Sequence, residues 1–221
     1  MITKQTKLLI FDMDGLLIDS ERVYKEGWQF GLAKENLHLQ EEILDSWTGK
    51  SMHETDAHLM RLCNDTTTCD RIRTHREAYI YRCLQQGTLM AKPYAAQALQ
   101  CARSHGFVIG LATSTNKKRS VAILTKLGLM PYLQYPIFAD DVRKLKPNPD
   151  VYLAVLRTAG FSAQEAVAFE DSLTGYTAAR AAGIRTALIP DQSFAPFDSG
   201  VSIALPTYAD LSIVLTWISN L

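Results

Sequence analysis

Leu8-Leu9-Ile10-Phe11-Asp12-Met13-Asp14-Gly15 is the stretch that decides the fold, because four apolar residues run directly into two carboxylates and a glycine. A short apolar run bounded by a turn signal predicts a buried strand. Ligands bind at the carboxyl ends of the strands in open α/β sheets, so we expect Asp12 at a binding edge. Asp12 and Asp14 point the same way if the chain stays extended between them. Two acids that merely cap the next helix would show the same pattern.

The charge and composition of the chain argue against several classes of partner. Its 221 residues include 23 basic and 23 acidic side chains, which gives no support for a nucleic-acid or anionic-membrane partner. Residues 1–7 lack an apolar signal region, and no apolar run approaches the length of a membrane span. The cysteines lack C-x-x-C spacing, which argues against zinc and predicts buried free thiols at Cys63, Cys69, Cys83 and Cys101. We therefore expect a cytoplasmic protein.

Residues 19–92 have the periodicity of helices without a clear strand pattern. One predicted helical face carries Val23, Tyr24, Gly27, Trp28 and Gly31, and a second carries Ile72, Tyr79, Ile80 and Cys83. Short helices are predicted over residues 40–47 and 52–62, with a loop over residues 64–68. We interpret residues 19–92 as an all-helical domain inserted after the first strand.

From residue 93 onward, predicted strands alternate with predicted helices. The strands cover residues 107–112, 137–139, 166–169 and 185–189, with a further candidate over 201–205. Asn148 is expected to cap a helix that has Pro149 at its first position. Three helices end in a glycine followed by an apolar residue, at Gly128, Gly160 and Gly183. This alternation predicts an α/β fold with a doubly wound, Rossmann-like parallel sheet, formed by residues 1–18 and 93–221.

Polar side chains follow the predicted strands at one edge of this sheet. They are Asp12, Asp14, Thr113, Ser114, Lys146, Glu170 and Asp171. Carboxylates are the ligands that Mg²⁺ prefers, whereas a lysine and hydroxyl groups suit a phosphate. Each residue also has a simpler interpretation, because Thr113–Thr115, Asp171 or Ser172 could cap helices and Lys146 could be an exposed loop lysine. Their convergence on one crevice favours a site.

Four of these segments resemble the motifs of the haloacid dehalogenase superfamily, in the subfamily of β-phosphoglucomutase-like sugar phosphatases and mutases with a helical cap. The resemblance covers nearly the whole chain. The segment F-D-M-D-G resembles the first motif, which implies Asp12 as the nucleophile and Asp14 as the general acid/base. Thr113 and Ser114 match the second motif and Lys146 the third, which implies that these residues bind phosphate.

The segment F-E-D-S, which contains Glu170 and Asp171, resembles the fourth motif of the family. The resemblance implies that Mg²⁺ is held by Asp12, the backbone carbonyl of Asp14 and Asp171, with Glu170 beside it. It also implies a small phosphorylated metabolite as the substrate, residues 19–92 as the cap domain and attack of Asp12 on phosphorus. We expect a monomer, because no apolar surface stripe stands apart from the predicted core.

The cap residues leave two enzymatic outcomes open. Mutases of this family carry a histidine and an arginine at two cap positions, which hold Tyr24 and Met52 here and thereby favour a phosphatase over a mutase. Lys50, Arg73 or Arg76 could replace the arginine, although exposure to solvent is the commoner fate of such residues.

Two further comparisons with the family pattern affect the interpretation. Lys92-Pro93-Tyr94 departs from the Pro-Gly that the family usually has before the first core helix. This departure concerns the geometry of the hinge between the cap and the core, and not the chemistry of the site. A non-enzymatic sensor of phosphometabolites would be expected to have lost Asp12, Asp14, Lys146 or Asp171, and all four are present.

Overall fold

The structure is a computed structural model that describes residues 2–47, 52–191 and 206–221, with the backbone alone described at 52–54. Within these ranges it contains a parallel sheet of five strands: β1 Leu8–Phe11, β2 Val108–Ala112, β3 Tyr135–Ile137, β4 Ala166–Glu170 and β5 Arg185–Leu188. Their order across the sheet is β3-β2-β1-β4-β5, so the chain runs outward from β1 in both directions. The predicted doubly wound parallel sheet is confirmed.

The α-helices of the described residues are α1 Glu21–Lys34, α2 Glu41–Asp45, α3 Met52–Cys63, α4 Thr66–Gln86, α5 Ala95–Ser104, α6 Lys117–Lys126, α7 Asp150–Ala159, α8 Leu173–Ala181 and α9 Ser212–Ser219. The contacts divide the chain into two compact units. The core unit comprises Met1–Ile18 and Ala91–Leu221, and the helical unit comprises Asp19–Met90. The whole sheet belongs to the core unit, and α1 to α4 belong to the helical unit.

The register of the sheet brings the ends of its central strands to one level. Phe11, the last residue of β1, lies opposite Leu111 of β2 and Phe169 of β4. The residues that follow these three positions therefore emerge at the same edge of the sheet. Asp12 is consequently level with Glu170, the last residue of β4.

The two faces of the sheet are covered by different helices, as the alternation of side chains along a strand requires. On one face, Leu8 and Ile10 belong to a buried cluster with residues of α7 and α8 that include Tyr152, Val155 and Ala178. On the other face, Phe11 stacks on Phe169 at 4.9 Å between ring centroids, and Phe169 contacts Trp217 of α9 at 5.9 Å. All four residues of β1 are buried, which explains its continuous apolar sequence.

The helix endings follow the glycine pattern of the sequence. Gly128, Gly160 and Gly183 have φ angles of 70°, 74° and 80°, in the left-handed region that residues with a Cβ rarely adopt. The predicted left-handed ends of these three helices are confirmed.

Several local predictions were wrong. Strand β3 covers Tyr135–Ile137 instead of residues 137–139, because residues 139–141 form a turn of 3-10 helix. Asn148 does not cap α7: its Nδ2 donates to the Leu145 carbonyl (3.0 Å), and the helix begins at Asp150. The possible strand over residues 201–205 lies outside the described residues.

The predicted loop over residues 64–68 is largely the first turn of α4. The Asp65 carboxylate accepts hydrogen bonds from the amides of Thr67 (3.2 Å) and Thr68 (2.8 Å), so it caps the helix. The polar residues that suggested a loop therefore form the start of a helix. An aspartate at the N-cap accepts hydrogen bonds from the first amides of a helix, which have no partner within the helix.

The helical unit is organised around the contact between α1 and α4. A Cβ at Gly31 of α1 would come within 2.5 Å of the Ile72 carbonyl oxygen, so the two backbones approach closely at this glycine. Trp28 and Ile72 belong to a buried cluster that also includes Trp47 and Leu59. The predicted buried faces of α1 and α4 therefore pack against each other.

The cysteines form no disulfide among the described residues. All four cysteines are free, with Cys69 and Cys83 buried and Cys63 and Cys101 partly exposed, so the prediction of buried thiols holds for two of them. No helix within the described ranges combines the length and apolar character needed to cross a bilayer.

Candidate active site

Three acidic side chains meet at the carboxyl edge of the sheet. Asp12 follows β1 directly, Glu170 ends β4, and Asp171 comes next in the chain. Each offers a carboxylate oxygen, and these oxygens lie within 4.8 Å of one another. Asp12 is 6% exposed and Glu170 is fully buried, so the negative charges are largely removed from water. Such a cluster requires a compensating positive charge.

Lys146 supplies part of that charge. Its Nζ donates to Asp12 Oδ1 at 2.5 Å and to Glu170 Oε1 at 2.6 Å, and the lysine is itself buried. The prediction that Lys146 lies near the acids therefore agrees with its position, and the interpretation as an exposed loop lysine is wrong. One ammonium cannot neutralise three carboxylates, so the cluster can still accept a cation.

Burial and mutual charge change the pKa values of this group. Burial raises the pKa of Asp12 to about 8, with Glu170 and Asp14 adding to the rise and Lys146 opposing it. Burial lowers the pKa of Lys146, but the charges of Asp12 and Glu170 outweigh that effect and the pKa is raised overall. Lys146 therefore stays protonated as a donor, whereas a further cation would favour the ionised form of Asp12.

Asp14 lies beside Asp12 and is held by a different hydrogen bond. Its Oδ2 accepts from the Thr115 hydroxyl at 2.7 Å, while its Oδ1 is buried and has no hydrogen-bond partner among the described residues. The chain then turns at Gly15, where φ is 76°. An oriented carboxylate with one unused oxygen suits a residue that exchanges a proton.

Thr113 and Ser114 follow β2, which is the neighbour of β1 in the sheet. Thr113 is buried and its Oγ1 accepts from the Thr115 amide (3.0 Å), whereas Ser114 is partly exposed. Their hydroxyl hydrogens are available to an acceptor such as a phosphate oxygen.

Helices α6 and α8 are capped by Asn116 and Ser172. Asn116 caps α6 by accepting from the Arg119 amide (2.9 Å), so the interpretation of Thr113–Thr115 as its cap was wrong. Ser172 does cap α8, because its Oγ accepts from the Gly175 amide at 3.1 Å. The N-cap of α8 is therefore Ser172 and not Asp171.

The donor set fits a hard divalent cation. All the candidate ligands, the carboxylates and the predicted backbone carbonyl of Asp14 alike, are oxygen atoms, which Mg²⁺ prefers over nitrogen or sulfur. Glu170 Oε2 is buried and has no hydrogen-bond partner in the described part of the chain, and a buried carboxylate oxygen without a partner is unfavourable. Asp12, Glu170 and Asp171 are thus the side chains that would hold such an ion.

Sequence reasoning missed three residues that shape this site. Tyr152 of α7 donates a short hydrogen bond from its hydroxyl to Glu170 Oε1, and burial together with the Glu170 charge raises the pKa of Tyr152. Thr115 holds Asp14, and Gly175 packs against Glu170. Tyr152 lies within an apolar helical stripe and so resembles a core residue in the sequence.

The cationic candidates of the helical unit have partners within that unit. Arg73 forms ion pairs with Asp56 (2.7 Å) and Asp70 (2.7 Å). Arg76 is buried, and its guanidinium lies over the rings of Tyr24 and Trp28 at 5.1 Å and 4.5 Å from their centroids. Both arginines therefore have structural uses. Lys50 lies outside the described residues, and no side chain is described for Met52.

A parallel α/β core with a cluster of acids and a buried lysine at its carboxyl edge is suited to binding and hydrolysing a phosphate ester. The model of the haloacid dehalogenase-like hydrolase family matches residues 6–183. The chain belongs to this family, as its sequence motifs predicted.

Individual relatives agree with this assignment. A phosphorylated carbohydrates phosphatase of Thermotoga maritima is 31% identical, over 80% of this chain and 81% of the relative. The fructose-1-phosphate phosphatase of Escherichia coli K12 is 26% identical, over 80% of this chain and 92% of the relative. A crystal structure from Thermotoga maritima, provisionally named a β-phosphoglucomutase, has 25% identity and a TM-score of 0.78, and covers 98% of this chain and 100% of that one.

Proposed function

We propose that this protein is a Mg²⁺-dependent phosphatase that hydrolyses the phosphate monoester of a small metabolite, a sugar phosphate, through an aspartyl-phosphate on Asp12. The chain is a phosphoric monoester hydrolase of the haloacid dehalogenase family, in agreement with its family match and the phosphatases among its relatives. The observation that carries the finer proposal is the buried contact of Lys146 with both Asp12 and Glu170, beside Asp171.

The chemistry begins with attack of an Asp12 carboxylate oxygen on phosphorus. The bond from phosphorus to the ester oxygen breaks, and Asp14 gives a proton to the departing alcohol. Water then attacks the phosphorus of the aspartyl-phosphate while Asp14 takes a proton from that water, and the bond from phosphorus to the Asp12 oxygen breaks. The products are the free alcohol and inorganic phosphate, and Asp12 and Asp14 return to their starting states.

Charge neutralisation is the main requirement of both steps. A carboxylate that approaches a phosphate is repelled, and the buried Lys146 ammonium reduces this repulsion. Bound Mg²⁺ would supply further positive charge at Asp12, Glu170 and Asp171. The hydroxyl groups of Thr113 and Ser114 and the Lys146 ammonium are proposed to bind the phosphate oxygens.

The names of two relatives support a sugar phosphate as the substrate, since they describe phosphatases of phosphorylated carbohydrates and of fructose 1-phosphate. Hydrolysis is favoured over the mutase alternative because Tyr24 and Met52 stand where mutases carry a histidine and an arginine. The similarity to a structure named as a β-phosphoglucomutase keeps the mutase as the second candidate. A cytoplasmic location and a monomeric state stay predictions.

A substrate panel tests the proposal. Purified protein is incubated with sugar and nucleotide monophosphates, with and without a chelator, and both phosphate release and isomerised product are measured. Release of phosphate that stops with chelator supports the proposal, whereas isomerisation without release supports the mutase. Tight binding without turnover of any phosphoester would instead indicate a sensor.

The assignment of Asp12 is tested by comparison with a second aspartate that follows a strand of the same sheet. Asp12→Asn is expected to abolish turnover while the fold persists, because the amide is a poor nucleophile. Asp141→Asn is the control, since an asparagine can still accept the hydrogen bond from the Phe138 amide (2.9 Å). Retained phosphatase activity in Asp12→Asn would refute the mechanism.

A further inference from the structure

The Tyr152 hydroxyl is buried against the one carboxylate of the site that is itself fully buried. Tyr152 lies on the face of α7 that packs on the sheet, and neither Tyr152 nor Glu170 has any exposed surface. Its neighbours on that face, Val151 and Val155, are apolar. A phenylalanine would fill such a core position without the cost of burying a hydroxyl group. The hydroxyl therefore needs an explanation beyond packing.

The hydrogen bonds divide the two oxygens of Glu170 into different roles. Oε1 accepts both from the Tyr152 hydroxyl and from Lys146 Nζ at 2.6 Å. Oε2 is buried and has no hydrogen-bond partner among the described residues. Two donors on one oxygen restrict rotation of the carboxylate, so the other oxygen is kept free in a defined place.

Helix α8 restricts the same carboxylate from another direction. A Cβ at Gly175 would overlap the Glu170 carboxyl group, so only glycine at this position leaves room for it. Ser172 and Gly175 form the capped first turn of α8, which holds the glycine in place. Glu170 is thus enclosed by Tyr152, Lys146 and Gly175.

We propose that Tyr152 is a positioning residue: its hydroxyl, by occupying Glu170 Oε1 together with Lys146, holds Glu170 Oε2 ready for Mg²⁺ or for water bound to it. The inference rests on the proposed function, because it concerns the same metal site. Partners of this kind orient metal ligands, and their loss commonly weakens metal affinity or activity by about 10- to 100-fold.

Tyr152→Phe tests the inference because it removes only the hydroxyl and keeps the ring, which lies 5.3 Å from Lys146 Nζ. Thr186→Val is the matched control. It also removes one buried hydroxyl, but this one lies on β5 opposite Ala168 and donates to the Ile184 carbonyl at 3.1 Å instead of to an acid. Mg²⁺ affinity is measured without substrate, from the rise in Tm of metal-free protein as Mg²⁺ is added. The Mg²⁺ dependence of p-nitrophenyl phosphate hydrolysis is measured separately.

We expect Tyr152→Phe to weaken Mg²⁺ binding by about 10-fold or more, with turnover largely restored at high Mg²⁺. Thr186→Val should lower Tm without changing Mg²⁺ affinity. If Tyr152 acts through Glu170, then Tyr152→Phe should have no further effect on Mg²⁺ affinity in a Glu170→Gln background. Gly175→Ala, which displaces the same carboxylate, should weaken Mg²⁺ binding as Tyr152→Phe does.

The result that overturns the inference is unchanged Mg²⁺ affinity in folded Tyr152→Phe, or an effect that adds fully to that of Glu170→Gln. Either result leaves the proposed function standing if the unaltered protein still hydrolyses phosphoesters with Mg²⁺. A protein that binds Mg²⁺ but hydrolyses no phosphoester would refute the proposed function, and the Tm titrations would still decide the role of Tyr152. A protein whose Tm does not respond to Mg²⁺ would refute both.

Discussion

Lys146 Nζ lies 2.5 Å from Asp12 Oδ1, although 134 positions separate the two residues in the chain. The contact joins the end of the central strand to the loop before α7, and it is buried on both sides. A buried ammonium between carboxylates holds the loop against the sheet, and it would also prepare Asp12, the proposed nucleophile, for an anionic substrate.

Replacing this lysine should therefore affect stability as well as activity. Lys146→Met leaves the buried carboxylates without their ammonium, and we expect a loss of about 3–5 kcal/mol in the free energy of unfolding of the metal-free protein. Added Mg²⁺ should restore part of that loss, because it can neutralise the same oxygens. Urea unfolding with and without Mg²⁺ measures both effects. Lys144→Met, at an exposed position of the same loop, is the control, and equal losses in the two variants would contradict the prediction.

Gly15 and Gly87 form a matched pair for a test of Asp171. Both have positive φ, 76° and 74°, so alanine at either position should cost about 1 kcal/mol of stability. A Cβ at Gly15 would also overlap the Asp171 carboxylate, whereas a Cβ at Gly87 would have no neighbour within 4 Å. We expect Gly15→Ala alone to weaken Mg²⁺ binding, measured by the Tm titration. The same Mg²⁺ affinity in both variants would show that Mg²⁺ binding does not depend on the present position of the Asp171 carboxylate.

Tyr94 is a strained residue at the start of α5. Its φ is 64°, a left-handed conformation that costs a residue with a Cβ about 1–2 kcal/mol. Glycine removes this strain but loses more conformational entropy on folding, so the net effect of Tyr94→Gly should be to raise the free energy of unfolding by about 1 kcal/mol. Tyr94→Phe keeps the strain and should change little. Denaturant unfolding of the three proteins checks this, and a less stable glycine variant would contradict it.

The ion pair between Glu165 and Lys7 should make stability depend on pH. The hydrogen bond from Lys7 (2.7 Å), followed by those from Ser162, lowers the pKa of Glu165 from its ordinary 4.5 to about 2. A folded-state pKa below the unfolded value adds stability that is complete above pH 4.5 and is lost as the pH falls through 2. We expect the stability difference between the unaltered protein and Glu165→Gln to be constant from pH 5 to 7 and to shrink below pH 4.5. A stability difference between the two proteins that grows as the pH falls would contradict the prediction.

Much of the fold was predictable because the signals that define it are local. The apolar run before Asp12 marked a buried strand, and the glycines at 128, 160 and 183 marked helix ends, since a strand's period and a left-handed backbone depend on neighbouring residues alone. The predictions for β3 and for the start of α7 failed where a short 3-10 turn and a backbone carbonyl of Leu145 competed with the expected pattern.

The sequence by itself determined the parallel α/β class and the acids, hydroxyls and lysine that follow its strands, because these are properties of residue type and spacing. Only the tertiary structure decided that Tyr152 reaches Glu170, that Thr115 reaches Asp14 and that Gly175 makes room for a carboxylate. Those contacts depend on strand register and on the packing of helices across the sheet, and no local pattern records which distant side chain will lie opposite a buried charge.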